Sequence, residues 1–325
     1  MHYDEFGLFH ENAAEYGLVL EGSPAVRRVE VEVDSSAGRC VSALVWGVGE
    51  PQLVLVHGGA QNAHTWDTVA LDLGVALIAV DLPGHGHSGW RDDGAYTPMN
   101  LADDLAVVVR ALAPTARAVV GMSLGGLTSL ELAARHPELV RRLVLVDITP
   151  GVNQTKAKAV IDFVNGPQNF ASFDDLLART IEHNPTRSES SLRRGILHNA
   201  HQGDDDSWEW NYDRRSHVRS SEAAPEAAPE DAPELDAAPA GLMNAAVAMS
   251  PLWDDLSLVA CPIMLVRGSL SPVVDDADVA EALRRQPAMR VEMVEGAGHS
   301  IQGDRPRELA QLIRDAMHVQ EHRQP

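Results

Sequence analysis

The chain alternates short apolar runs with segments in which apolar residues recur every three or four positions. This rhythm is typical of βαβ units, which build a parallel sheet flanked by helices. The pattern predicts eight strands, at 28–33, 41–46, 53–56, 76–80, 118–121, 143–146, 263–267 and 290–294. The first two alternate apolar and polar residues, as an antiparallel hairpin does, whereas the later ones are nearly continuous Val, Leu and Ile, as doubly buried strands are.

Helices are predicted between these strands. Their approximate positions are 64–73, 100–112, 125–135, 276–286 and 305–318. Pro137 ends the third, and Pro306 lies in the first turn of the last, where proline is tolerated. The sequence therefore predicts one α/β layer structure rather than separate all-α and all-β parts.

A long interval without a strand-like pattern separates Val146 from Ile263. Residues 155–215 predict helical and irregular structure, and 220–240 is rich in Ala, Pro and Glu, too poor in bulky apolar residues to offset the entropy of ordering. We therefore expect a core domain from 1–150 and 255–325. A cap of 151–254 is inserted after the sixth strand and contains a disordered acidic segment at 220–240.

Charge and composition narrow the function classes. The net charge of −21 repels phosphate backbones and anionic lipid, which argues against nucleic-acid and membrane partners. Cys40 and Cys261 are far apart and form no CxxC motif, and the first residues do not resemble a signal peptide. These features predict a cytoplasmic protein with reduced thiols, and they do not indicate an oligomeric state.

The segment Gly121-Met122-Ser123-Leu124-Gly125 follows a predicted strand and opens a predicted helix. A sharp strand-to-helix turn lifts the serine oxygen clear of the sheet, and its flanking glycines avoid clashes in so tight a turn. The helix N-terminus behind Ser123 favours developing negative charge. Ser123 is therefore predicted to be a nucleophile.

Two further segments supply what a serine nucleophile needs. The run His57-Gly58-Gly59-Ala60 ends a buried strand, so the N–H of Gly59, with Ala60 as the alternative, can form an oxyanion hole with the N–H of Leu124. His57 is interpreted as a structural hydrogen-bonding residue. His299 follows the last strand in a loop of small residues and is predicted to be the general base, because a serine hydroxyl is protonated at neutral pH.

Together these segments resemble the α/β-hydrolase superfamily. The family's order is kept by His57-Gly58-Gly59, Asp81-Leu82-Pro83-Gly84-His85-Gly86, the Ser123 turn and Gly298-His299. The resemblance covers residues 25–150 and 255–318 and implies a mostly parallel eight-stranded sheet flanked by helices, with a cap. His85 and His87 are interpreted as turn-packing residues rather than metal ligands.

The acid of the triad departs from the family's usual pattern. Most relatives carry it shortly after the seventh strand, where this chain has Ser271 and Pro272. Asp147 follows the sixth strand, at the sheet edge where active sites collect and where some relatives carry the acid. Asp147 is favoured, and Asp275, which is better placed to cap the next helix, is the alternative.

The predicted function is a serine hydrolase that acts on a small carboxylic ester through an acyl-enzyme on Ser123. The mechanism needs no metal or organic cofactor, and its partner is a small acyl substrate. Thioester cleavage, carbon–carbon bond hydrolysis and acyl transfer use the same groups, so they remain alternatives. The alternative hypothesis of a different functional class is a ligand-binding or receptor-like homologue that keeps the fold without turnover. Trp208, Trp210 and Tyr212 either line the cap's pocket or form its core.

Overall fold

A computed structural model describes residues 3–213 and 251–318. The predicted disordered segment at 220–240 lies outside these residues. No helix in the described ranges is both long and apolar enough to cross a lipid bilayer. Cys40 and Cys261 are free thiols.

The sheet contains eight strands, as predicted. They are β1 (Val26–Asp34), β2 (Arg39–Trp46), β3 (Leu53–Val56), β4 (Leu77–Val80), β5 (Ala118–Met122), β6 (Leu143–Val146), β10 (Ile263–Gly268) and β11 (Arg290–Val294). Their spatial order is β1-β2-β4-β3-β5-β6-β10-β11. Strand β2 pairs antiparallel with both neighbours, and all pairs from β4 to β11 are parallel.

Helices cover both faces of this sheet. The helices of the core are α1 (Phe9–Glu15), α2 (Asp67–Leu73), α3 (Pro98–Leu112), α4 (Leu124–Arg135), α8 (Leu252–Leu258), α9 (Asp276–Arg285), α10 (Ile301–Asp304) and α11 (Pro306–His318). One face packs against α3, α4 and α8, and the other against α1, α2 and α11. Apolar strands therefore have both faces buried, and the predicted layer architecture is confirmed.

Between β6 and β10 lies the cap. Its described elements are α5 (Lys158–Val164), β7 (Asn169–Phe170), α6 (Phe173–His183), α7 (Glu189–Asn199), β8 (Ala200–Gln202) and β9 (Trp208–Trp210). The expectation that this interval has no strands is wrong, because β7, β9 and β8 form a small antiparallel sheet. Strands of two or three residues are too short to show a period in the sequence.

Buried aromatic residues hold the cap together and fix it to the core. Trp208, Trp210 and Tyr212 are buried in a cluster with residues of α6 and α7. The Asn199 side chain donates to the carbonyl of Ala60 at 2.8 Å, which ties the cap to the loop after β3. The last residues of the predicted cap belong to the core domain instead, because Leu252, at the start of α8, packs in the core beside the sheet.

Candidate active site

Ser123 lies in the turn between β5 and α4. Its backbone has φ 51° and ψ −121°, a conformation that residues with a Cβ rarely adopt. An added Cβ on Gly121 would lie 2.3 Å from the carbonyl oxygen of Gly125, and one on Gly125 would lie 2.3 Å from that of His57. Both glycines are therefore required by close backbone approaches, as the sequence predicted.

The three residues proposed for the triad lie in one hydrogen-bonded line. Ser123 Oγ is 3.0 Å from His299 Nε2, and His299 Nδ1 is 2.8 Å from Asp147 Oδ2. Because a carboxylate can only accept, His299 donates from Nδ1, and its Nε2 is left to accept the serine proton. The geometry suits proton abstraction from Ser123.

Asp147 is held by more than the histidine. It follows β6 with φ 51°, is 1% exposed, and accepts the N–H of Gly268 on Oδ1 at 3.0 Å. The hydroxyl of Ser271 donates to Oδ2, the same oxygen that faces His299. These contacts fix the carboxylate's orientation, and neither Gly268 nor Ser271 was predicted to take part in the site.

The alternative acid, Asp275, is engaged elsewhere. It is the N-cap of α9 and forms a reciprocal capping box with Asp278. Its carboxylate also lies 2.9 Å from Lys156 Nζ. Of the two acids, the structure brings only Asp147 to His299.

The loop after β3 lines the same cavity as Ser123, and its backbone N–H groups are the candidates for an oxyanion hole. Ala60 is not free to serve as a donor, because its N–H donates to His85 Nε2 at 3.0 Å. Burial, together with the charge of His57, lowers the pKa of His85 to about 3, so this ring stays a neutral acceptor. No protein acceptor takes the N–H of Gly59 or Leu124 in the described part of the chain. Gly59 and Leu124 are thus the pair available to an oxyanion.

His57 lies beneath this loop with no exposed surface. Its Nε2 accepts the N–H of Leu82 at 2.9 Å, and its Nδ1 lies 2.7 Å from the carbonyl of Gly58. Both ring nitrogens are occupied by backbone groups, so His57 stabilises the loop, as its sequence position indicated.

The serine opens into a cavity of about 250 Å³ between the core and the cap. Most of its wall is apolar, and its apolar side chains are Met122, Ala159, Val160, Phe163, Val164, Leu270, Pro272 and Val273. Trp208, Trp210 and Tyr212 do not line it. A cavity of this kind, with few polar groups around one nucleophile, suits a small apolar acyl or alcohol group.

The sequence of the chain matches a known family over most of its length. The family model described as "alpha/beta hydrolase fold" matches residues 51–306. The chain belongs to the α/β-hydrolase family.

Individual relatives of this α/β-hydrolase include named enzymes. It is 42% identical over 321 residues to Esterase Rv0045c of Mycobacterium tuberculosis, covering 97% of this chain and 96% of that protein. A crystal structure of that esterase has a TM-score of 0.76 at 41% identity and covers 98% of this chain and 99% of that one.

More distant relatives share the fold. This chain is 29% identical over 254 residues to 2-(acetamidomethylene)succinate hydrolase of Mesorhizobium japonicum, and the match covers 77% of this chain and 82% of that protein. A crystal structure of E-2-(acetamidomethylene)succinate hydrolase has a TM-score of 0.74 at 23% identity and covers 90% of this chain and 99% of that one. This structural likeness shows the fold alone.

A second, polar chamber of the hydrolase adjoins the serine cavity. The two share Ala60, Gln61, Phe163, Asn184 and Ser300 as lining residues. The chamber, of about 110 Å³, extends under α7 and along the first turns after β3. Sequence reasoning missed this chamber, because its walls come from six separated parts of the chain.

Three residues in the wall of the chamber, His64, Asp67 and His198, carry side chains that can bind metals and lie close together. They form the only such cluster among the described residues. His64 Nδ1 is 2.9 Å from Asp67, its Nε2 is 3.1 Å from Glu5, and its ring stacks on His198 with centroids 3.8 Å apart. Burial alone lowers the pKa of His64, but Asp67 and Glu5 outweigh it and raise that pKa to about 9. An imidazolium that donates from both nitrogens has no lone pair for a metal, so this group does not fit a metal site.

Proposed function

We propose that the protein is a serine esterase that uses Ser123 as nucleophile, His299 as general base and Asp147 as the residue that orients the histidine. The observation that carries this proposal is the line of hydrogen bonds Ser123–His299–Asp147 at the mouth of a mostly apolar cavity. The near full-length relative named an esterase supports the same reaction class.

In the first half of the reaction, His299 Nε2 takes the proton of Ser123 as its oxygen attacks the ester carbonyl. The carbonyl oxygen becomes an oxyanion, which the N–H groups of Gly59 and Leu124 stabilise by about 3 kcal/mol per donor. The protonated His299 then gives its proton to the leaving alkoxide, so an alcohol departs and the acyl group stays on Ser123.

The second half repeats these steps with water. His299 takes a proton from a water molecule that attacks the acyl-enzyme, and the new oxyanion occupies the same donor pair. Collapse of this intermediate breaks the bond to Ser123, which recovers its proton from His299. The products are a carboxylic acid and an alcohol, and Asp147 stays an acceptor throughout.

The cavity sets the size of the substrate in this proposal. Phe163 and Val160 from α5 and Leu270 from the loop after β10 close it from above. We therefore propose small to medium esters as substrates. Thioester cleavage, carbon–carbon bond hydrolysis and acyl transfer would use the same groups, and the near full-length relative named an esterase favours ester hydrolysis among them.

The receptor-like alternative depended on the absence of an acid at the usual position. Asp147 makes the contact to His299 that a working triad requires, which favours turnover over binding alone. A cytoplasmic location stays a proposal, supported by the two unpaired thiols, and fractionation of cells would test it.

A fluorophosphonate probe and a panel of p-nitrophenyl esters of increasing acyl length test the proposal. Wild-type protein should be labelled and should turn over the shorter esters. Ser123→Ala should lose both properties while its melting temperature stays near that of the wild type. Thr128→Ala, one turn along α4, is the matched control. A folded wild type that neither reacts with the probe nor hydrolyses any ester would refute the proposal.

A further inference from the structure

Arg187, in the loop between α6 and α7, lines the polar chamber without an anionic partner. No carboxylate of the described residues lies within 4.0 Å of its guanidinium. Its Nη2 donates to Ser191 Oγ at 2.8 Å, while its buried Nε has no hydrogen-bond partner. A partly buried guanidinium without an ion pair is costly, and a bound anion at the free Nε would lower that cost.

The backbone holds this guanidinium in place. An added Cβ on Gly303 would lie 2.6 Å from Arg187 Nε, so the guanidinium packs flat against the glycine. Gly303 belongs to α10, the short helix that starts two residues after His299. Arg187 is therefore positioned relative to the proposed general base and does not simply extend into solvent.

The other cations of the chamber are already neutralised. Arg194 pairs with Glu15, and His64 lies between Asp67 and Glu5. Burial lowers the pKa of Arg187, and the charge of Asp304, beyond ion-pair distance, offsets this only in part. Asp67 is the one acidic residue in the chamber wall, and it is matched by His64. Arg187 is therefore the one cation of the chamber wall without an ion pair, although Asp304 compensates part of its charge from a distance.

The chamber adjoins the cavity of the nucleophile. Gln61 and Ser300 lie at the junction of the two cavities, with Gln61 Nε2 3.5 Å from Ser300 Oγ. Asn184, three residues before Arg187, also borders both. A substrate arm that runs from Ser123 into the chamber would pass between these side chains and separate Gln61 from Ser300.

We propose that the chamber is a carboxylate-binding subsite centred on Arg187, and that the preferred substrates are half-esters of short dicarboxylic acids. The inference rests on the proposed esterase function and specifies its substrate class. A guanidinium presents parallel N–H donors that match a carboxylate edge to edge. The chamber of about 110 Å³ holds a group of that size, while the apolar cavity takes the rest of the ester.

The test compares hydrolysis of monomethyl succinate, glutarate and adipate with hydrolysis of methyl esters of monocarboxylic acids of matched chain length. Wild-type protein should prefer at least one half-ester by about ten- to hundredfold in kcat/KM, the range of a charge-assisted hydrogen bond. Arg187→Gln should lose that preference mainly through a higher KM for the half-ester. Arg187→Lys should restore part of it.

Arg193→Gln is the matched control, because Arg193 lies on α7, which follows the loop of Arg187, and pairs with Glu11 at the surface. It should retain the preference. Glutarate should also inhibit wild-type hydrolysis of a neutral ester more strongly than pentanoate does, a comparison that needs no variant. Equal rates on half-esters and neutral esters, without selective inhibition by glutarate, would overturn the subsite and leave the esterase proposal standing. Failure to hydrolyse any ester or to label Ser123 would refute the esterase itself.

Discussion

Ser271 donates its hydroxyl hydrogen to Asp147, the residue that faces His299. Ser271 occupies the position at which most relatives of this family carry the acid. In this chain that position still contacts the proposed triad, but it supplies a hydrogen-bond donor instead of a carboxylate. Asp147 comes from the neighbouring strand, since β6 and β10 pair in parallel and their carboxyl ends meet at one edge. The ends of these two adjacent strands therefore supply the proposed triad with one carboxylate, from Asp147, and one hydrogen-bond donor to it, from Ser271.

The identity of the acid can be tested by paired substitutions. Asp147→Asn should lower kcat by about 10³- to 10⁴-fold, because an amide favours the wrong histidine tautomer. Asp275→Asn should leave kcat near wild type and change stability little, because asparagine caps a helix about as well as aspartate does. Turnover of p-nitrophenyl esters and thermal melting measure both effects. The assignment fails if only the Asp275 variant loses activity while folded.

Ser271→Ala should lower kcat about tenfold with little change in KM, because Ser271 positions Asp147 and does not touch the substrate. Ser269→Ala removes a hydroxyl from the same loop that accepts the N–H of Gly296, and it is the matched control. Steady-state kinetics on one ester distinguishes the outcomes. A rise in KM alone for Ser271→Ala would contradict a positioning role.

Local sequence was sufficient for the strands and for the turn at Ser123. Strands such as Leu53–Val56 are apolar throughout, and a Cβ on Gly121 would clash with Gly125 in the same turn. These constraints act between near neighbours, so they are visible in the chain itself. Asp147 could be favoured for a similar reason, because it directly follows a buried strand.

Contacts between distant segments were not visible in the sequence. Ser271 meets Asp147 only because β10 pairs with β6, and Arg187 meets Gly303 only because the cap folds back over α10. The cap sheet has strands of two and three residues, which leave no periodic signal. Packing of this kind depends on tertiary structure, and no local propensity encodes it.

Glu131 predicts a pH-dependent loss of stability. It is 2% exposed on α4, and burial together with the charge of neighbouring Asp255 raises its pKa to about 7. The folded state thus holds this proton more tightly than the unfolded chain, so the contribution of Glu131 to stability is complete below about pH 4.5 and is lost as pH rises through about 7. Glu131→Gln should be more stable than wild type by about 2 kcal/mol at pH 8 and similar to it near pH 4.5.

Urea unfolding at these two pH values measures the difference. Glu308→Gln, on the exposed side of α11, should follow the wild type at both. Asp255→Asn should reproduce part of the gain at pH 8, because it removes the other member of the pair. Equal destabilisation by Glu131→Gln at both pH values would show that the carboxyl group is not protonated in the folded protein.

His64 predicts a second window, at higher pH. Its folded pKa of about 9 exceeds the value of about 6.5 expected when unfolded. Its contribution to stability is therefore complete below about pH 6.5 and is lost as pH rises through about 9. His64→Gln should cost about 2 kcal/mol at pH 6 and much less at pH 9.5, because a neutral amide cannot reproduce the attraction to Asp67 and Glu5. His201→Gln, at an exposed site of the cap, serves as control. Chemical unfolding between pH 6 and pH 9.5 measures the free energy of unfolding of each variant. A cost of His64→Gln that does not change with pH would mean that His64 is neutral in the folded protein.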